Sequence, residues 1–182
     1  MDAEVTNIKD ILLVEDDPQD VELTLAALED HLASKVAVVK NGAEALDYLY
    51  RRGKFKNRAG GDPIVVMLDN KMPKVSGLEV LKIIKGDGHL KTIPVVALTS
   101  SRRTQDLIEF YEHGVNAYVV KPLAFPKFRA AIKQLFAFWA VVNEAPPQTE
   151  IEETSIQRDE IDSPGKEEIN NEAPAPHPAF GR

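Results

Sequence analysis

Short apolar runs alternate along the chain with longer segments whose apolar residues recur every three or four positions. Asp10 to Val14 reads as an apolar strand, and Pro18 to about Leu32 carries Val21, Leu25, Leu28 and Leu32 at helical spacing, with Asp16 or Asp17 available as its cap. A short strand at Val36 to Val39 precedes a helix that begins near Gly42 and has Ala45, Leu46 and Leu49 on one face. The basic, glycine-bearing stretch from Arg51 to Asp62 predicts a loop. Ile64 to Leu68 is the third strand, with Leu78, Val80, Leu81 and Ile84 lining the helix after it. Ile93 to Leu98, Thr104 to His113, Ala117 to Val120 and Phe125 to about Val142 complete the pattern as strand, helix, strand and helix. Strands separated by helices pair in parallel through right-handed crossovers, which predicts a doubly wound five-stranded α/β sheet with helices on both faces.

Polar residues stand where four of these strands end. Glu15, Asp16 and Asp17 follow the first, Asp69 ends the third, Thr99, Ser100 and Ser101 end the fourth, and Lys121 ends the fifth just before Pro122. A doubly wound sheet gathers these tips along its carboxyl edge, where open α/β sheets bind ligands. Clustered carboxylates suit a hard cation such as Mg²⁺, which prefers oxygen and keeps part of its water shell. Such a cation neutralises charge on transferring phosphoryl oxygens, so that Asp69 could attack phosphorus. Lys121 and Thr99 offer an ammonium and a hydroxyl to the remaining oxygens. The set reads as an aspartyl-phosphate site.

Charge locates a boundary. The net charge is −7, and residues 144–182 hold ten acidic residues against three basic ones, whereas residues 1–143 hold 19 of each sign. The same final segment has six of the twelve prolines and few large apolar residues. A stretch of this composition buries too little surface to offset its ordering entropy, so residues 1–143 are expected to form one domain and 144–182 a solvated, disordered tail. The acidic tail would repel nucleic acid, and no DNA-binding domain is expected after Val142. The absence of cysteine rules out disulfides and thiolate chemistry. No run approaches a membrane span and the first residues are acidic, so a cytoplasmic protein is expected. Histidines 31, 89, 113 and 177 show no metal-ligand spacing.

The motifs Leu12-Leu13-Val14-Glu15-Asp16-Asp17-Pro18, Met67-Leu68-Asp69-Asn70-Lys71-Met72-Pro73 with Ser76-Gly77, Leu98-Thr99-Ser100, and Tyr118-Val119-Val120-Lys121-Pro122 resemble the receiver domain of two-component response regulators, in register from about residue 8 to 143. The resemblance implies the flavodoxin-like strand order 2-1-3-4-5. It also implies that Asp69 accepts phosphate from a histidine kinase, and that Glu15 and Asp16 hold Mg²⁺ together with Asp69 and the main-chain carbonyl of Lys71. Lys121 and Thr99 would contact the phosphoryl group, Thr99 and Tyr118 would form the switch, and the peptide between Lys121 and Pro122 would be cis. Within that family the Arg51 to Asp62 loop, the Lys91 to Val96 stretch and the aromatic end of the last helix are similar to stand-alone receivers that partner phytochrome kinases. Output would then run through another protein, a phosphorelay step or competition for a kinase.

Other readings use the same residues. A phosphatase forming an aspartyl-phosphate would be expected to carry a second carboxylate two positions after Asp69, where Lys71 stands. A flavodoxin-like cofactor binder would want a Ser/Thr/Gly phosphate cradle after the first strand, and Glu-Asp-Asp-Pro is electrostatically opposite. On the last helix, Phe128, Ile132, Leu135, Trp139 and Val142 form one apolar stripe that docks on the sheet. Phe125, Phe136, Phe138 and Val141 lie partly off it, which predicts exposed aromatic surface and a homodimer through these residues.

Overall fold

The computed structural model describes residues 11–28 and 33–144. The chain divides into two compact units, Met1–Gln148 and Thr149–Arg182, and the second lies wholly outside the described residues. Asp10, Leu32 and the predicted tail beyond Glu144 are likewise outside them.

Strands β1 (Ile11–Val14), β2 (Val36–Val39), β3 (Val65–Leu68), β4 (Val95–Thr99) and β5 (Ala117–Val120) form one sheet in the order β2-β1-β3-β4-β5. Every pairing is parallel, with Val14 opposite Leu68 and Thr99 opposite Val120. Helices α1 (Pro18–Ala26), α2 (Gly42–Leu49), α3 (Gly77–Gly86) and α4 (Thr104–Glu112) lie in the four crossovers, and α5 (Phe125–Ala137) follows β5. Because strand side chains alternate, the buried runs of β1, β3 and β4 feed two cores. Leu12, Val14, Val66, Leu68, Val95 and Ala97 pack with Ala45, Leu49, Val80, Leu81, Ile84 and Phe110 of α2, α3 and α4. Ile11, Leu13, Val65, Met67, Val96 and Leu98 pack on the other face with Phe128, Ile132 and Phe136 of α5 and with Ala27 and Leu28 just after α1.

Local chemistry sets the helix starts. Asp17 Oδ1 accepts from the Gln19 N–H at 2.8 Å with Pro18 in the first turn, so Asp17 is the cap of α1 and is occupied away from the site. Asn41 caps α2 through the Glu44 N–H at 3.0 Å. Ser76 and Glu79 form a reciprocal capping box at the start of α3. The Arg51–Asp62 segment is a loop holding one 3₁₀ turn, Gly53–Phe55, and Arg58 pins it. The Arg58 guanidinium lies over the Tyr48 ring at 4.2 Å and donates to the Tyr48 and Gly61 carbonyls.

The structure departs from the sequence reading in four places in the fold, the first being α1, which ends at Ala26 with Ala27 and Leu28 already outside the helix. β4 begins at Val95 rather than Ile93, because Leu90–Thr92 closes a 3₁₀ turn and Pro94 offers only its carbonyl, which accepts from the Val66 N–H at 2.9 Å. The last helix keeps α geometry only to Ala137 and widens into a π turn at Phe138–Val142, closed by the Asn143 N–H on the Phe138 carbonyl at 2.7 Å. Finally, Phe136 is not interface but core, at 0% exposure. The row at spacing four, Phe128, Ile132 and Phe136, faces the sheet, whereas Leu135 and Trp139 are half-buried and Val142 is exposed. The two rows diverge by less than a right angle around the helix, so helix tilt decides which is buried, and tilt is not written in the spacing.

Candidate functional site

The sheet order alone brings the polar strand tips together. Asp69, Glu15, Thr99 and Lys121 are all buried side chains at the carboxyl edge, and Asp16 is exposed beside them. Carboxylate oxygens of Glu15, Asp16 and Asp69 lie within 4.8 Å of one another. The Lys121 N–H donates to the Thr99 carbonyl at 2.8 Å, which fixes the lysine to the tip of β4. From there its ammonium reaches Glu15 Oε2 at 2.5 Å, Asp20 Oδ2 at 2.6 Å and Asp69 Oδ1 at 3.5 Å.

The two oxygens of Asp69 differ. Oδ2 accepts the Lys71 N–H at 2.9 Å, whereas Oδ1 is buried without a hydrogen-bond partner. A buried acceptor in that state carries an unmet desolvation cost, and it is the oxygen best placed to form a new bond. Burial pushes the Asp69 carboxyl above its usual range against the charge of Lys121 and the Lys71 N–H. Burial likewise raises Glu15 to about 7 against its hydrogen bond and charge interaction with Lys121. For Lys121 burial works downward, but the hydrogen bonds to Asp20 and Glu15 and the nearby charge of Asp69 outweigh it and raise the ammonium above its ordinary value.

Three carboxylates thus share one ammonium, with Asp16 beside them, and two of the three, Glu15 and Asp69, resist ionisation through burial. This donor set fits a hard divalent cation, since all three clustered groups offer carboxylate oxygen. Lys71, two positions after Asp69, is exposed and supplies its backbone N–H rather than a second carboxylate.

Thr99 is fully buried, and its hydroxyl oxygen accepts the Ser101 N–H at 3.2 Å. The Tyr118 hydroxyl donates to the Ser101 carbonyl at 3.3 Å while its ring stands edge-to-face on Phe110, centroids 5.5 Å apart. Thr99 and Tyr118 therefore meet on one residue of the loop after β4. Ser101 Oγ in turn donates to Asp106 at 2.5 Å, and Asp106 lies 3.5 Å from the amide of Asn70, next to Asp69.

The Lys121–Pro122 peptide is trans, for no peptide bond among the described residues is cis. Trans is the lower-energy X-Pro isomer by about 0.5–1 kcal/mol, and in it the ammonium already reaches the pocket. Sequence reasoning missed Asp20. An acid in the first turn of a helix reads as a partner for the helix dipole, and only the folded sheet shows it against Lys121. Phe138, Val141 and Phe125 are exposed on or beyond α5, as the sequence predicted, while Phe136 is not.

A family model described as the response regulator receiver domain matches residues 11–133. Response regulator Rcp1 of Synechocystis sp. is 35% identical over 135 residues, which cover 72% of this chain and 88% of that protein. The solved Mn(2+)-bound form of Rcp1 superposes with a TM-score of 0.69 at 32% identity, covering 76% of this chain and 99% of its own. The phosphorylated cyanobacterial phytochrome response regulator RcpA gives a TM-score of 0.72 at 34% identity, with 78% and 100% covered. The bacteriophytochrome response regulator AtBRR is 59% identical, with a TM-score of 0.61 and coverage of 76% and 99%. Fold, strand-tip chemistry and these matches agree: the chain belongs to the response regulator receiver domain family.

Proposed function

We propose that this receiver takes a phosphoryl group on Asp69 from the phosphohistidine of a phytochrome-type sensor kinase and passes the signal on through protein contact. One observation carries the reading: Asp69 Oδ1 is a buried carboxylate oxygen without a hydrogen bond, 3.5 Å from the only ammonium of the pocket among the described residues. In the transfer that oxygen forms the bond to phosphorus as the P–N bond of the donor imidazole breaks, and the departing nitrogen keeps the electron pair and takes up a proton. Glu15, Asp16, Asp69 and the Lys71 carbonyl would hold Mg²⁺, which when bound neutralises charge on the phosphoryl oxygens. Lys121 and the Thr99 hydroxyl complete the charge balance around those oxygens. Water attack on the acyl phosphate returns the free carboxylate, so the module resets itself, and a phosphatase acting on small substrates lacks support because Lys71 replaces the second acid.

Movement of Thr99 toward a phosphoryl group would withdraw its oxygen from the Ser101 N–H and so disturb the carbonyl that holds Tyr118. This links the site to the α4, β5 and α5 surface, a two-state element that phosphate biases. On that side exposed Phe138, Val141 and Val142, with Phe125, support a homodimer. Residues 1–143 act as the receiver and 144–182 as a solvated acidic tail, and a kinase partner of this type implies a cytoplasmic location. Among the described residues no helix is long and apolar enough to cross a membrane.

The kinase assignment is tested by profiling transfer. Phosphorylated kinases of phytochrome and non-phytochrome type are each mixed with the protein and the loss of phosphohistidine is timed. Preference for the phytochrome type by a factor of about 100, near 2.7 kcal/mol of barrier, is expected. Equal rates would remove the partner assignment.

A further inference from the structure

Asp20 belongs to none of the strand-tip motifs, yet it is one of the two carboxylates nearest Lys121. Its Oδ2 is 2.6 Å from the ammonium, Glu15 Oε2 is 2.5 Å away, and Asp69 Oδ1 stands off at 3.5 Å. An ammonium has three protons, and two are committed to acids other than Asp69. One proton is left for a phosphoryl group on Asp69, and a second contact with it, or a closer approach, requires an exchange. Releasing Glu15 would strand a carboxylate that is 3% exposed, whereas Asp20 is 33% exposed and regains water when released. The bond that yields is Lys121 to Asp20.

We propose that Asp20 is a positioning residue that holds Lys121 back from Asp69 and competes with phosphoryl oxygens for its ammonium, which limits how tightly the phosphorylated state is held. The inference rests on the assignment of Asp69 made above. With acetyl phosphate the Asp69 oxygen bonds to phosphorus while the phosphorus–oxygen bond to acetate breaks and acetate leaves with the electron pair. Before transfer the Asp20 charge repels the incoming phosphoryl group, and after transfer its hydrogen bond draws Lys121 away from the product. Both effects have the same sign, and a neutral side chain of equal size removes them. Only the Asp20 side of the ammonium opens to water, so only this acid can trade places without moving the buried pair of Glu15 and Lys121.

Beryllofluoride, a mimic of the phosphoryl group, distinguishes this from a clip that merely ties α1 to the end of β5. Its binding in the presence of Mg²⁺ is measured by calorimetry on the full chain, with thermal unfolding of each variant alongside. Asp20→Asn and Asp20→Ala should both bind beryllofluoride about three- to tenfold more tightly than the parent and take phosphate from acetyl phosphate faster by a similar factor. Asp20→Glu should return to within about twofold of the parent, because it restores the competing charge. A structural clip predicts the reverse, with lower unfolding temperature and weaker binding. Unchanged or weaker binding by both neutral variants overturns the role of Asp20, while binding by Asp69→Asn equal to the parent overturns the site assignment itself.

Discussion

Gly77 opens α3 directly against the backbone of Asp69. A Cβ at Gly77 would stand 2.9 Å from Asn70 Cα and closer still to the Asp69 carbonyl oxygen, and the Gly77 N–H donates to the Asn70 carbonyl at 3.0 Å. The turn that presents Asp69 is thus braced by the helix it leads into. Gly77→Ala should cost about 1–3 kcal/mol, the range for overpacking a tight contact. It should also slow phosphate uptake, because backbone rather than a flexible side chain must shift. Urea unfolding and timed uptake from acetyl phosphate check both effects.

Loss of Mg²⁺ should be felt as loss of stability. If the acidic cluster binds the ion in the folded state alone, free Mg²⁺ at 100 times its dissociation constant adds about 2.7 kcal/mol. Thermal unfolding with and without a chelator measures this. Asp16→Asn should abolish most of the shift while leaving the metal-free midpoint close to the parent, since Asp16 is an exposed residue of the cluster.

Phe136 and Phe138 should separate folding from assembly. Phe136 is fully buried in the core beneath α5, so Phe136→Ala should lose about 3–5 kcal/mol in chemical denaturation. Phe138 is half exposed, so Phe138→Ala should leave the monomer stable within about 1 kcal/mol and weaken self-association in sedimentation. A parent protein that sediments as a monomer at tens of micromolar removes the dimer.

Acid stability should depend on Asp87, the residue after α3. Its carboxylate accepts from the backbone N–H groups of Leu90 and His89 at 2.9 and 2.8 Å and from the Tyr50 hydroxyl at 2.8 Å. These bonds, the Leu90 N–H first, hold the carboxyl below its ordinary 3.8. A depressed carboxyl stabilises the fold above its unfolded value and loses that contribution as pH falls through the lower folded value. Asp87→Asn should therefore be less stable than the parent at pH 7, and the gap should narrow below pH 3.8. A gap that stays constant with pH would show that the charge is irrelevant.

The sequence was informative where burial is absolute. β1, β3 and β4 are buried on both faces, so they read as unbroken apolar runs, and the polar residue ending each run marks the site without further knowledge. Asp69, Glu15 and Thr99 were legible for that reason, whereas Lys121 ends the half-buried β5 and was marked by its place before Pro122. Helix orientation was less so, because Phe136 and Trp139 differ only in how α5 tilts over the sheet. Asp20 was invisible because its meaning depends on Lys121, 101 residues away along the chain. The Lys121–Pro122 isomer, too, is a property of the folded loop rather than of the dipeptide.

The central claim is that Asp69 is the phosphoacceptor, and intact-mass measurement tests it most directly. After incubation with acetyl phosphate and Mg²⁺, the protein should gain the mass of one phosphoryl group, lost in base, mapped to Asp69 and absent from Asp69→Asn. Phosphate found on Ser100 or Ser101 with none on Asp69, or uptake undiminished in Asp69→Asn, would contradict it.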